Sequence, residues 1–455
     1  MRIPLPALNA SMGRGHYDRA QPEVKFYFDF VCPYAYLASL QLPALCERMD
    51  AFIEYRPILL GGVLKALGSE PNAGPQVKTA MTRRDLQRWA EYLQVPLSMP
   101  AEHPRRTVEA LRLLCWAPRA AWPDLVKVLY RAYWVEGLDI TSHQVLAQLA
   151  ASVGLPAEAA LLGLQRADVA AELRRRTDEA IQAGVFGVPT FVVDSHTGPR
   201  LFFGQDRLHF VEAALRHHPL RMEDEEVQDA PQPALSIREA VLTRSFPIAN
   251  QARRLQFFYD VASPFAYLAS TQIEQLAEHC GAVVDWHPIL LGGLFRSLGT
   301  PMVPLSAYSP SKRRHTLEDL ARWAHHYDQP FHFPTQFPMM TVTAQRLLML
   351  AGERTPQLSH ALFRAYWVAD ADLNDPSILE AALREAGLPI ELLSRTSEPE
   401  VKERLQENTL AAERAGVFGV PSFRIPQPHG EPLLFFGQDR MKLVERALRK
   451  GTRSE

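Results

Sequence analysis

Cysteine is scarce in this sequence: there are four in 455 residues (Cys32, Cys46, Cys115, Cys280), none in a C-x-x-C or regularly spaced pair. That excludes a disulfide framework and a thiolate zinc site, and it fits a reducing cytoplasm. Charge of one sign is missing too. Forty-nine basic and 51 acidic residues leave a formal −2 with no basic run, so no field draws in nucleic acid or an anionic membrane. No stretch approaches the roughly 20 apolar residues of a membrane span. The opening MRIPLPALNASMGRGHYDRAQPE has no apolar signal core and reads as a flexible arm, residues 1–22. His325-His326 lacks metal-ligand spacing, so no metal is expected. Gly61-Gly62 and Gly292-Gly293 sit outside any phosphate-loop pattern and read as tight turns. What these absences leave is a small-molecule partner.

What is present is ordinary globular composition, 47% hydrophobic and 22% charged, in a chain too long for one usual domain. Self-comparison explains the length. Asp29-Phe-Val-Cys-Pro-Tyr-Ala-Tyr-Leu-Ala38 returns as Asp260-Val-Ala-Ser-Pro-Phe-Ala-Tyr-Leu-Ala269, and Arg56-Pro-Ile-Leu-Leu-Gly-Gly62 as His287-Pro-Ile-Leu-Leu-Gly-Gly293. Leu86-Gln-Arg-Trp89 matches Leu320-Ala-Arg-Trp323, and Arg131-Ala-Tyr-Trp134 matches Arg364-Ala-Tyr-Trp367. Gly184-Val-Phe-Gly-Val-Pro189 and Leu201-Phe-Phe-Gly-Gln-Asp-Arg207 recur as Gly416–Pro421 and Leu434–Arg440. The order never changes, so the chain is a tandem duplication: one copy over 23–217, a second over 254–450. Between them lies an acidic, proline-containing linker, 218–253, with room for a short helix around Ile237–Thr243.

Within a copy the pattern predicts a strand (24–30), a helix (33–49), a strand (51–56), a long helical region to about 183, a strand after Pro189, another at Leu201–Phe203, and a helix from Gln205 to about His217. The first three make a βαβ unit. Trp89, Trp134, Trp323 and Trp367 fall in helical patterns and read as core, and Asp29 and Asp260 at strand ends as acceptors for backbone donors. The chemistry concentrates at Cys32 and Ser263. Each stands before a proline that opens an amphipathic helix, where free backbone N–H groups and the helix dipole favour a negative charge such as a thiolate. Read locally, Cys32 is either a nucleophile or a buried thiol, and Ser263 either a thiolate contact or a helix cap.

Taken together, the strand ending Phe-Asp, the Ser-Pro-Phe-Ala-Tyr-Leu-Ala opening, Pro-Ile-Leu-Leu-Gly-Gly, Gly-Val-Phe-Gly-Val-Pro and Phe-Phe-Gly-Gln-Asp-Arg resemble the DsbA-like branch of thioredoxin-fold proteins. Within that branch they resemble the 2-hydroxychromene-2-carboxylate isomerases and kappa-class glutathione transferases. The resemblance spans nearly all of both copies. It implies an α/β fold of two thioredoxin-like domains, each with a large α-helical insertion, and glutathione as cofactor. It also implies an X–Pro loop (Val188-Pro189, Val420-Pro421), cis in the family, that pairs with the cysteinyl unit of the tripeptide, and Gln205-Asp206 and Gln438-Asp439 at its γ-glutamyl end. Ser263 would then donate a hydrogen bond to the glutathione thiolate. The implied reaction is reversible addition of that thiolate to a conjugated aromatic oxo acid, rotation and expulsion, or transfer of glutathione to an electrophile. Because single-domain relatives pair, the duplication would build the pair as an internal pseudo-dimer.

Two positions depart from the family. Cys32 replaces the serine, and with Ala35 in place of a resolving cysteine it suits monothiol rather than dithiol oxidoreductase chemistry. Where many relatives carry Asn after a Phe-Pro, this chain has Arg106 and Met340. Arg56, His287 and Arg106 are candidates for a substrate carboxylate, with a surface charge as the plainer reading. A DsbA-like thiol–disulfide oxidoreductase working through Cys32, and a non-catalytic glutathione-binding module, are the alternatives.

Overall fold

Alternate residues of β1 (Glu23–Phe28) face inward, and Val24, Phe26 and Phe28 are fully buried, as period-two strand geometry requires. The chain stops being a strand two residues sooner than the sequence pattern predicts. The Asp29 side chain accepts from Val31 N at 3.2 Å and its carbonyl accepts from Cys32 N at 3.1 Å, turning the backbone before Pro33. Pro33 then occupies the first turn of the helix Pro33–Arg48, where a missing N–H costs nothing. That helix carries the chain to β2 (Phe52–Pro57), parallel to β1, while β3 (Thr190–Ser195) and β4 (Gly198–Phe203) complete the sheet antiparallel, in the order β2-β1-β3-β4. Between β2 and β3 lies an all-helical insertion.

The second copy repeats this order with β5 (Arg253–Tyr259), β6 (Ala282–Pro288), β7 (Ser422–Ile425) and β8 (Leu433–Phe436), arranged β6-β5-β7-β8. Both halves are thus thioredoxin-like domains with a helical insertion. The computed structural model of the protein describes residues 21–68, 76–218, 220 and 253–450; nearly all of the arm, most of the linker and the helix expected at Ile237–Thr243 lie outside them. The cores agree in detail: Phe26 stacks on Phe191 (5.5 Å, 11°) and Phe257 on Phe423 (5.6 Å, 11°). The four tryptophans expected in the core are buried. Two of them also tie the insertion to the turn after the first strand, Trp134 donating to Phe30 O at 2.9 Å and Trp367 to Val261 O at 2.8 Å.

The closing helix of each half packs against an insertion helix of the other. Phe210, in the helix Leu208–Arg216, meets Trp323 of the helix Pro310–His326 edge-on at 5.1 Å. Arg446, in the helix Met441–Lys450, donates to Glu91 O and Tyr92 O of the helix Gln76–Leu93. This seam buries histidines. Burial pushes His315 and His326 down to about 4 and His209 well below its usual value. A base whose pKa is depressed on folding stabilises the native state above the unfolded pKa, and that stability is lost as pH falls toward the folded value. Resistance to urea is therefore expected to fall steadily from about pH 7 to about pH 5, and His315→Gln should flatten the decline in a denaturation series.

Candidate functional site

The two key side chains stand where the sequence places them, at N-caps with extended backbone (Cys32 φ −93°, ψ 114°; Ser263 φ −101°, ψ 120°). Ser263 Oγ accepts from Ala266 N at 3.2 Å and donates to Val420 O at 3.4 Å. Cys32 Sγ caps nothing and contacts Val188 O at 3.2 Å. The bonds Val188-Pro189 and Val420-Pro421 are cis, as are His103-Pro104 and Phe337-Pro338. Each cis loop thus aims its valine carbonyl at the polar atom that opens the first helix. Among the described residues, the Val188 and Val420 N–H groups form no backbone hydrogen bond.

Sequence reasoning and the folded site part at Cys32. The Ala35 and Tyr34 amides do favour the thiolate, as the helix start suggests, but burial outweighs them and pushes the thiol up to about 12. In the resting protein Cys32 is a thiol, not a thiolate. Beneath each cap lies a buried aspartate. Asp29 accepts from Leu60 N (2.8 Å) and Thr107 Oγ1 (2.5 Å), and Asp260 from Leu291 N (2.8 Å), Ala262 N (3.0 Å) and Thr341 Oγ1 (2.7 Å). Burial raises both carboxyls and these donors oppose it. Both are the structural acceptors the sequence suggests.

A cavity of about 300 Å³ opens against the second half's cis loop. Val420, Pro421, Gln438 and Asp439 line it together with Phe265, Lys312, His315 and Asp319, and the first half contributes Phe186, Phe203 and Arg207. Sequence reasoning missed Lys312, His315, Asp319, Arg207 and Arg440, all on the cavity wall. The available signals were Asp85 and Asp319 one residue before the repeated Leu-x-Arg-Trp, and the arginine that ends each Gly-Gln-Asp-Arg.

Those arginines cross between the halves. Arg207 donates to Asp319 Oδ2 (2.9 Å) and Asp439 Oδ2 (2.9 Å), while Arg440 donates to Asp85 Oδ1 (2.8 Å) and Asp206 Oδ2 (2.5 Å). Burial disfavours the charged Asp206, yet Arg207 and Arg440 together hold its carboxyl below the usual range. Four aspartates share these two guanidiniums, and Arg322 stands 3.8 Å from Asp319 and 2.9 Å from Glu318. The Gln205 and Gln438 Nε2 atoms are buried without a hydrogen-bond partner. Unmet amide donors beside buried carboxylates fit a ligand end that carries both a carboxylate and an ammonium, as the γ-glutamyl group does.

The remaining candidates stand apart. Arg56 is paired with Glu54 beside it on β2 (2.5 Å), Arg106 is largely exposed and paired with Glu109 (3.1 Å), and Met340 is exposed. His287 stacks on Phe258 at 5.0 Å, is held neutral by burial, and is not among the cavity-lining residues.

Glycine shapes the site twice. Gly437 sits at φ +100°, and a Cβ there would fall 2.6 Å from Asp439 Oδ1. A Cβ on Gly419 would fall 2.9 Å from the Phe436 ring, which packs on Phe418 at 4.5 Å. Gly419→Ala should therefore displace the cis loop and cost about 1–3 kcal/mol, readable as a lower denaturation midpoint.

Comparison with known proteins agrees with this architecture. The family model described as "DSBA-like thioredoxin domain" matches residues 23–216 and 254–449. The 2-hydroxychromene-2-carboxylate isomerase of Sphingobium xenophagum is 35% identical over 196 residues, 42% of this chain and 97% of that protein. Human glutathione S-transferase kappa 1 is 29% identical over 209 residues, 43% of this chain and 91% of that protein. A solved structure of a 2-hydroxychromene-2-carboxylate isomerase is 30% identical, covering 43% of this chain and 94% of that one, with a TM-score of 0.38.

Proposed function

Since this chain belongs over both halves to the DSBA-like thioredoxin domain family, we propose that it is a glutathione-dependent enzyme. Its second half would isomerise a conjugated aromatic oxo acid of the 2-hydroxychromene-2-carboxylate kind, or transfer glutathione to an electrophile. The observation that carries this reading is a cavity on which the Val420-Pro421 loop, the Gln438-Asp439 turn and Asp319 converge, with Ser263 buried just behind its wall and donating to Val420 O. Relatives named as isomerase and as kappa glutathione transferase support it.

Bound glutathione supplies a nucleophilic sulfur that adds reversibly to a conjugated carbon and is expelled again. The protein's part is to hold and ionise it. The Val420 amide pairs with the cysteinyl backbone. The Gln438 Nε2 donor and Lys312 meet the γ-glutamyl carboxylate, and the Asp319 and Asp439 carboxylates meet its ammonium. Ser263 turns its hydroxyl from Val420 O to the sulfur, and a donor to a thiolate lowers the pKa of the thiol. Phe186, Phe203, Phe265 and Phe436 form a wall suited to an aromatic substrate.

Cys32 is less suited to the oxidoreductase alternative, because its thiol is buried and raised to about 12 and no resolving cysteine stands at Ala35. Four unpaired thiols are in keeping with a reducing compartment such as the cytoplasm. The test is calorimetry with reduced glutathione, followed by an ultraviolet assay of 2-hydroxychromene-2-carboxylate isomerisation. Saturable binding with turnover is expected; no binding to the wild-type chain would refute the reading.

A further inference from the structure

We propose that the chain has one working glutathione site, in the second half, and that the first half is a closed copy whose retained role is to wall that site. The inference rests on the glutathione reading above and adds which half binds and what shuts the other.

The decisive pair is Tyr34 and Phe265, equivalent residues one position after the helix-opening proline. In the second half Phe265 lines the cavity and cannot donate a hydrogen bond, so Asp319 is held by the Arg207 fork and by Arg322 at 3.8 Å. In the first half the Tyr34 hydroxyl donates to Asp85 Oδ2 at 2.9 Å while Arg440 Nε donates to Oδ1 at 2.8 Å. Both aspartates have both oxygens engaged, but Asp319 meets guanidiniums only, Arg207 reaching Oδ1 at 3.3 Å and Oδ2 at 2.9 Å, whereas one oxygen of Asp85 is taken by a phenol. Asp319 therefore borders the cavity beside an apolar ring, while the equivalent side of Asp85 is covered by the Tyr34 hydroxyl of its own domain. Burial keeps that phenol un-ionised, with a pKa well above its usual value, so the hydrogen bond persists at any physiological pH.

Three further differences point the same way. His315, on the cavity wall, accepts from the first half's Phe203 N at 3.2 Å, whereas its equivalent is Met81, buried with Phe418 and Val420. Gln205 Oε1 is tethered by Gln41 at 3.1 Å, while the equivalent of Gln41, Gln272, instead donates to Thr271. At the helix start, buried in both halves, the first has a thiol that caps nothing and the second a hydroxyl that can donate to a sulfur anion. Meanwhile Phe186, Phe203 and Arg207 of the first half are spent on the second half's cavity.

Titration calorimetry of the full chain with reduced glutathione tests this by stoichiometry. One tripeptide per chain is expected for the wild type. Tyr34→Phe copies the second half's residue and should raise the number toward two. Phe265→Tyr copies the first half's and should weaken binding at least about tenfold, with circular dichroism confirming that both variants are folded. Two tripeptides per wild-type chain, Tyr34→Phe remaining at one, or Phe265→Tyr binding as well as wild type would each overturn the inference while leaving the glutathione reading intact. Absence of binding by every form would instead remove that reading and the inference with it.

Discussion

Ser263→Ala is expected to lower turnover about 10²- to 10³-fold, the usual effect of deleting one donor aimed at developing negative charge. The hydroxyl donates to Val420 O at 3.4 Å, a long and weak bond that is readily exchanged for a better acceptor. A sulfur anion is such an acceptor, so the loss should appear mainly in kcat and in the pH profile, whose alkaline rise should move upward as the bound thiol becomes harder to ionise. Ser263 also caps its helix through Ala266 N, and losing that cap alone costs about 1 kcal/mol of stability. The two roles separate by measurement: a purely structural serine would lower the denaturation midpoint and leave the pH profile where it was. Cys32→Ala should change turnover little.

Arg207→Ala should be the most damaging single change to stability, about 3–5 kcal/mol, because it leaves buried carboxylates without their partner. Arg207 serves Asp319, Asp439 and Asp206 at once and lies 5.3 Å over the Trp323 ring. Arg440→Ala should cost a similar amount through Asp85, Asp206 and Asp439. Lysine should not restore either position, since one ammonium cannot reproduce a planar fork that engages several carboxylates. Urea denaturation reads the loss, and a change of less than about 1 kcal/mol would show that the crossing arginines behave like exposed pairs.

The sequence made the duplication and the element order plain because they are written in local signals: apolar alternation at Val24–Phe28, a proline after Cys32 and Ser263, and glycines where Asp206 and Asp439 approach the backbone. The ends of elements were less legible. β1 stops at Phe28 because the Asp29 carboxylate turns the chain, which apolar periodicity does not report. The expected closing helix begins with a 3₁₀ turn at Gln205–Arg207 and Gln438–Arg440. Least legible were groups whose meaning arises only when the halves dock. Asp85 and Asp319 look like ordinary solvated charges of a polar helix until the opposite arginine covers them. Cys32 shows the complementary limit: the helix-start amides that favour its thiolate are local and readable, while the burial that overrides them is tertiary.

The central claim is that the second half holds a thiol over the start of a helix and ionises it with Ser263. The most direct measurement is a spectroscopic pH titration of glutathione bound to the wild-type chain, following the ultraviolet absorbance of the thiolate. The account predicts that the bound thiol ionises at lower pH than free glutathione and that Ser263→Ala returns it toward the free value. A bound thiol that titrates at or above the free value in the wild type would contradict it.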